Sequence, residues 1–337
     1  AAEKTLEAAL ELLDHGPPYL EGETELHLGM ARCMAGKSDG AIAFLEERIR
    51  TRTTPGRGDP LRRGGLTLVY LSSGDLRRAK NAAEGFWRVA AEREVANLTA
   101  WASYLRGCID LHALELKSAA RHLGRAVEQR YILDTRAAVD ALAALMLVHQ
   151  LAQDPQRMLN SGARLEEFVR ASPEFVPLER SIQARISVLR GDPEAALDWA
   201  RSVVEDPDPA SLFTWTDVPA ITRIRVLTAA GNEVERETAI EELHALGAAC
   251  EEWNFVGHSI DIAVLQALAS SRQGRISEAT ESLERAVALA RAGRWIRPFL
   301  EAGPEMRLLL SRLRLRDEDR EFVRCLDDAF ERWSAPV

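Results

Sequence analysis

The chain has 337 residues, above the size at which a single compact core usually stops growing, so it holds several domains or forms an elongated array. Aromatic residues make up only 6% and the helix formers Ala, Leu, Glu and Arg dominate, which favours an array of helices over a sheet protein. A formal net charge of −9 speaks against direct nucleic-acid binding, which needs a basic face, and no run of about 18 apolar residues is present to span a membrane.

The first stretch, AAEKTLEAALELLD, reads as an orphan helix over about residues 2–14. It has no basic-then-apolar signal pattern and no capping residue ahead of it, so the expectation is a piece of a longer chain. Next comes a recurring mark, a turn residue followed five positions later by a small one. Gly36 leads to Ala41, Gly74 to Ala79, Gly191 to Ala196 and Gly274 to Ala279. Leu114 with Ala119 and Gln153 with Met158 are weaker members, and Gly231 opens a longer, more charged variant, GNEVERETAIEEL. The turn positions 36, 74, 114, 153, 191, 231 and 274 are separated by 38, 40, 39, 38, 40 and 43 residues. A fixed period of this length is the mark of stacked helical repeats.

Each unit reads as helix, turn, helix. The expected hairpins lie near 22–52, 60–93, 95–130, 135–172, 174–205, 212–253 and 255–293. The loop TTPGRGDP separates the first two, and Asp206-Pro207-Asp208-Pro209 marks another connection. Glycine at the turn permits the left-handed backbone that ends a helix. Asp75, Asp192 and Ser277 are expected to cap the helices that follow. The small residue sits where the two helices of a hairpin approach closely. No hairpin can bury both faces alone, so neighbours must stack. After Gly293 the pattern changes to RWIRPFLEAGPEMRLLLSRLRL, with a final helix from about Asp317 to Trp333. Residues 294–337 are expected to form a capping helix pair over the open end of the stack, leading to a missing linker. The fold expected is therefore all-α, a right-handed superhelix (α-solenoid) of about seven TPR-like helical hairpins, open around an unfilled groove.

Catalytic and metal-binding signals are absent. The seven histidines fall in no HExxH-like spacing, and the pair His112 and His122 reads as packing. Cys250 and His258 span a helix junction but lack a third orienting group and an oxyanion donor. Arg-Gly-Asp within GRGDP reads as chance. Cys33, Cys108, Cys250 and Cys325 are far apart and form no CxxC pair, so free thiols in a reducing cytoplasm are expected. No catalytic residue, metal site or cofactor is assigned.

Repeat superhelices bind with their concave face, lined by the first helix of each hairpin. Counting thirteen, ten and six residues back from each turn puts Trp101, Tyr104, Cys108, Asp140, Ser181, Arg185, Arg225 and Asp261 there. Two readings stay open. Trp101 and Tyr104 are stacking faces for a ligand and Asp140, Arg185, Arg225 and Asp261 its polar contacts, or the aromatics pack between hairpins and the charges pair with one another. Trp215, with Phe213 in SLFTWTDVPA, is either a hydrophobic staple or the lip of the groove.

The long repeat step and the tail carry a family resemblance. Leu283 to Met306 reads LERAVALARAGRWIRPFLEAGPEM, and Arg297, Pro298, Phe299, Leu300, Gly303 and Pro304 fall on the tail pattern of one family. Trp295 stands at a tyrosine-like position of that pattern. The chain resembles the TPR-like superhelical sensor domain of the MalT-like, ATP-dependent LuxR-family transcriptional regulators. The resemblance implies a sensor segment between a nucleotide-binding ATPase switch and a LuxR-type DNA-binding domain. Neither is present here, and no GxxxxGK[ST] loop occurs. It implies a small-molecule inducer, a malto-oligosaccharide in the best-known member, or a protein or peptide as partner. Cofactors are none in this segment, and the site of action is the cytoplasm. A free-standing TPR scaffold binding a partner peptide is the alternative. An enzyme built on a closed helical toroid is a third reading, which would require carboxylates converging at the centre.

Overall fold

The computed structural model describes residues 2–13, 16–51, 58–203 and 209–334, and in these the chain is helical and without strands. Helix α1 (Ala2–Leu12) comes first. Four hairpins follow: α2 (Pro18–Met34) with α3 (Ser38–Thr51), α4 (Gly58–Ser72) with α5 (Leu76–Glu92), α6 (Ala96–His112) with α7 (Leu116–Glu128), and α8 (Thr135–Leu151) with α9 (Pro155–Arg170). Helix α10 (Val176–Leu189) pairs with the short α11 (Leu197–Ser202), and α12 (Pro209–Leu212) is a single turn. Two more hairpins are α13 (Pro219–Ala230) with α14 (Glu233–Glu252), and α15 (Val256–Arg272) with α16 (Ile276–Gly293). The tail holds α17 (Arg297–Glu301), α18 (Pro304–Arg312) and α19 (Arg320–Ser334). The loop read as TTPGRGDP is shorter at its end than expected, because Gly58 already opens α4; its residues up to 57, and Asp206–Asp208, lie outside the described residues.

Six of the seven turn positions have a left-handed backbone. Gly36, Gly74, Gly191 and Gly274 have φ of 75, 83, 78 and 73°, while Leu114 and Gln153 adopt 61 and 56° despite their side chains. Gly231 departs from the pattern, with φ −62 and ψ 155°. A Cβ there would lie 2.4 Å from the Leu227 carbonyl oxygen, so crowding and not backbone handedness selects glycine. Helix α14 starts directly afterwards in a capping box. The Asn232 side chain accepts from the Glu235 amide at 2.9 Å, and the Glu235 carboxylate accepts from the Asn232 amide at 2.8 Å.

Of the three expected caps, Asp75 accepts from the Arg78 amide at 2.9 Å. Asp192 does not cap, because Pro193 leads into a 3₁₀ turn, Glu194–Ala196, ahead of α11. Ser277 does not cap either, since α16 already begins at Ile276. The small residues after the turns are buried, Ala41, Ala79 and Ala119 completely at 0% exposure. The facing helix is as closely fitted: a Cβ on Gly107 would stand 2.5 Å from Leu123 Cγ.

The array curls until its seventh hairpin meets its first two, which corrects the open spiral expected from the repeat step. Helix α15 packs against α4. Asn254 Nδ2 donates to Ser38 Oγ at 2.6 Å and to the Cys33 carbonyl at 3.1 Å. Gly293 sits so close to the second hairpin that a Cβ would fall 1.8 Å from the Gly74 carbonyl oxygen. Repeat length reports the number of units; the curvature comes from contacts such as these, which a period does not encode.

The tail differs from expectation too. It does not simply cover the last hairpin but runs back across the array. Trp295 Nε1 donates to the Gly74 carbonyl at 2.7 Å, the Ile296 amide to the His112 carbonyl at 3.0 Å, and Gln153 Nε2 to the Trp333 carbonyl at 2.9 Å. Helix α17 packs on α6 and α15, with Phe299 and Leu300 fully buried. Pro298 lies in the first turn of α17, where its missing N–H has no helical partner to lose. Among the described residues no helix is long and apolar enough to cross a membrane. The four cysteines are unbridged, and Cys33, Cys108 and Cys250 are buried.

Candidate functional site

The inner-face positions of α6, α8, α10, α13 and α15 carry Tyr104, Asp140, Arg185, Arg225 and Asp261. All five are buried, between 0 and 5% exposed. The tail supplies two more charges one helical turn apart, Arg297 and Glu301. Arg185 Nη2 donates to Glu301 Oε2 at 2.7 Å, and its Nη1 donates to the Thr216 carbonyl at 2.7 Å and Asp217 Oδ1 at 3.1 Å. Arg297 donates from Nη1 to Glu301 and from Nη2 to Asp261, each at 2.7 Å, and from Nε to His112 Nδ1 at 3.1 Å. Arg225 is held more loosely, 3.6 Å from Asp261 and 3.7 Å from Glu301. Three guanidiniums thus face the carboxylates of Asp217, Asp261 and Glu301. Beside them Asp140 accepts from Tyr104 Oη at 2.8 Å, from the Thr216 amide at 3.1 Å and from the Asp217 amide at 3.2 Å.

The charge states follow from this packing. Burial alone would raise the Glu301 carboxyl, but Arg185, Arg297 and Arg225 outweigh it and bring its pKa down to about 2. Burial likewise opposes the charge on Arg185, yet Glu301 and Asp217 hold its pKa above the usual value. Burial lowers Arg225, and the neighbouring Arg185 adds to this against Glu301 and Asp261. His112 is pushed well below the ordinary imidazole range by burial and then by Arg297. Its Nδ1 accepts a hydrogen bond, so the ring proton sits on Nε2. Burial drives the neighbouring Cys108 thiol up to about 12.

This cluster holds the tail in place. A general acid or base needs a pKa near the working pH and a path to its substrate, and Glu301, ionised and enclosed, has neither. Asp140, Arg185, Arg225 and Asp261 thus face protein partners and not an open groove, which matches the second of the two readings, charges that pair with one another. Most of their donors and acceptors are turned on one another because α17 and the segment 212–218 fill the inner face, while Arg225 Nε and Asp261 Oδ1 have no hydrogen-bond partner among the described residues. Tyr104 is sealed with them and meets the Trp101 ring edge-on at 5.7 Å. Trp215 is half-buried, its Nε1 donating to the Ala210 carbonyl at 2.8 Å and the Arg136 guanidinium lying 4.5 Å over its ring. The tail residues Trp295, Arg297, Pro298 and Phe299 are all buried, as closure elements of the inner face.

Trp101 is the expected groove residue that faces the larger open space. It lines a pocket of about 910 Å³ between the first three hairpins. Helix α2 contributes Leu26, Met30 and Met34 to its walls, α4 contributes Leu68, and Phe86, Leu105 and Phe213 complete them. Helix α1 forms the remaining side through Leu6 and none of its residues is buried. Ion pairs tie α1 to the first hairpin: Arg32 to Glu3 at 3.2 Å and to Glu7 at 2.8 Å, and Lys37 to Glu3 at 2.7 Å.

Sequence reasoning missed Glu301, Asp217 and His112 in the cluster and the α2 wall of the pocket. Glu301 had a signal, since it stands four residues after Arg297 in the tail motif. Asp217 adjoins Trp215 in a stretch already singled out. Among the described residues no group of three or more His, Cys, Asp or Glu is arranged to hold a metal ion.

The family model of the MalT-like TPR region matches residues 1–316, from α1 through the tail motif. No curated protein matches the chain.

Proposed function

The chain belongs to the MalT-like TPR region family, and from that premise we propose that it is the effector-sensing segment of a MalT-like transcriptional regulator. In this reading it binds a small-molecule effector on its inner face and relays occupancy to an ATPase switch and a LuxR-type DNA-binding domain of the full protein, in the cytoplasm. One observation carries the reading. The inner face holds a partly open pocket of about 910 Å³, within the range of roughly 300–1,000 Å³ typical of small-molecule sites.

The relay is linkage. An effector that prefers one curvature of the array shifts the switch equilibrium by its differential affinity, typically about 1–3 kcal/mol. Phe213 supplies the mechanical continuity. It lines the pocket, and Thr216 and Asp217, three and four residues further along the chain, hold Arg185 and Asp140 in the tail cluster. The scaffold alternative needs an open inner groove for a peptide, and α17 covers the part of that face formed by α6 and α15. The reading assigns the chain no catalysis and no cofactor.

Thermal-shift screening of the chain against small molecules tests the proposal. An effector at 100 times its dissociation constant stabilises by about 2.7 kcal/mol. The shift is expected to be lost in Trp101→Ala; a shift retained in that variant rejects this placement. A gene reading frame lacking both the ATPase and the DNA-binding module rejects the regulator role.

A further inference from the structure

We infer that the Trp101 pocket takes a neutral, predominantly apolar small molecule carrying at most one hydrogen-bonding end, admitted past α1. The inference rests on the sensor reading for the ligand's role, but the chemistry of the ligand follows from the walls alone.

The walls decide the class. Leu26, Met30, Leu68, Phe86, Trp101 and Phe213 present carbon and thioether surface. Leaving one hydroxyl of a carbohydrate desolvated and unpaired costs about 1–3 kcal/mol, and a sugar carries many. The polar inner-face groups that would serve a sugar are consumed elsewhere: Asp140, Arg185, Arg225 and Asp261 are buried in the tail cluster. Among the described residues no Lys or Arg lines the pocket, so an anionic ligand meets no counter-charge there. The polar residues that do line it are Glu3, Thr5 and His27, all at the side formed by α1 and α2. Glu3 is engaged by Arg32 and Lys37. His27 Nδ1 lies 2.8 Å from the Glu23 carbonyl oxygen and must donate to it, so in the neutral ring Nε2 is left as an acceptor for one ligand N–H or O–H. The thioethers of Met30 and Met34 adapt to the shape of an apolar guest more readily than branched side chains do.

The entry route has its own structural mark. Helix α1 lies along the pocket, buries none of its residues and is tied to the first hairpin by ion pairs on partly exposed side chains. Such pairs break at small cost. A peptide helix, about 10–12 Å across, could enter only by displacing α1 altogether.

The experiment titrates the chain with N-phenyl-1-naphthylamine, a neutral apolar fluorophore, with maltotriose in a parallel arm. Expected are a saturable one-to-one fluorescence rise, a raised melting temperature, and at least tenfold weaker binding in Ala31→Trp, which fills the pocket from α2. Where Ala31→Trp does not fold, Met34→Arg must give the same loss. Failure of the fluorophore to bind, or binding indifferent to these variants, overturns the inference. Maltotriose stabilising the chain while the fluorophore does not also overturns it, and leaves the sensor reading standing. Variant-sensitive fluorophore binding that leaves nucleotide hydrolysis and DNA binding of the intact regulator unchanged supports the ligand class and removes the sensor role.

Discussion

Two stretches of one inner surface have opposite fates. Around hairpins five to seven, the inner-face residues are charged, and the tail and the segment 212–218 close over them until Arg185, Asp217, Arg297 and Glu301 are at most 5% exposed. Around hairpins one to three, the surface lining the pocket is apolar, and α1, with no buried residue, and Phe213 stand beside it. A buried charge demands partners that fit, and once they are supplied the region becomes a rigid seal. Apolar walls make no such demand and can remain open. The repeat thus divides its interior into a lock for the tail and an apolar chamber.

The largest effect expected on this contrast comes from Arg297→Ala. It leaves Glu301 and Asp261 buried with one cation fewer, and removing one partner of a buried pair typically costs about 3–5 kcal/mol. Chemical denaturation measures it, and a loss below about 1 kcal/mol would erase the distinction between lock and chamber. Gly293→Ala comes next. Its Cβ would fall 1.8 Å from the Gly74 carbonyl, so the contact between the last and second hairpins must yield, at about 1–3 kcal/mol in thermal melts.

Acid should weaken the lock in two stages. His112 and His258 are buried with pKa values below the ordinary 6.5. The unfolded chain takes up protons first, so their contribution is complete above pH 6.5 and declines as pH falls below it, by up to about 1.4 kcal/mol per unit for each group. Glu301 is depressed from 4.5 to about 2, so its contribution is present above pH 4.5 and is lost as pH falls towards 2. Stability measured from pH 7 to 5 should fall, and His112→Asn should flatten that slope; an unchanged slope would remove His112 from the account. The smallest effect is on the chamber side. Arg32→Gln releases Glu7 and leaves Glu3 held by Lys37 alone, and should barely move the melting temperature, while amide exchange in α1 accelerates several-fold.

Much of the scaffold was legible because its determinants are local. The turn-to-small-residue spacing located left-handed turns even at Leu114 and Gln153, where no glycine gives them away. Counting back from those turns also selected the inner-face residues Tyr104, Asp140, Arg185, Arg225 and Asp261. What it could not supply was their environment. Whether an inner-face arginine meets solvent or Glu301 depends on a tail 116 residues further along the chain, and on curvature set by close approaches at Gly293 and Gly257. The chamber was less legible still. Of its walls only Trp101 and Phe213 stood out, because Leu26, Met30 and Leu68 look like any other core residues of a repeat.

Native-state hydrogen exchange on the ligand-free chain tests the division most directly. The Ile296 amide, donating to the His112 carbonyl at 3.0 Å beneath the sealed tail, should exchange only through global unfolding, while amides of α1 exchange through local opening at far lower free energy. An Ile296 amide that exchanges as readily as those of α1 would contradict a locked tail beside an accessible chamber.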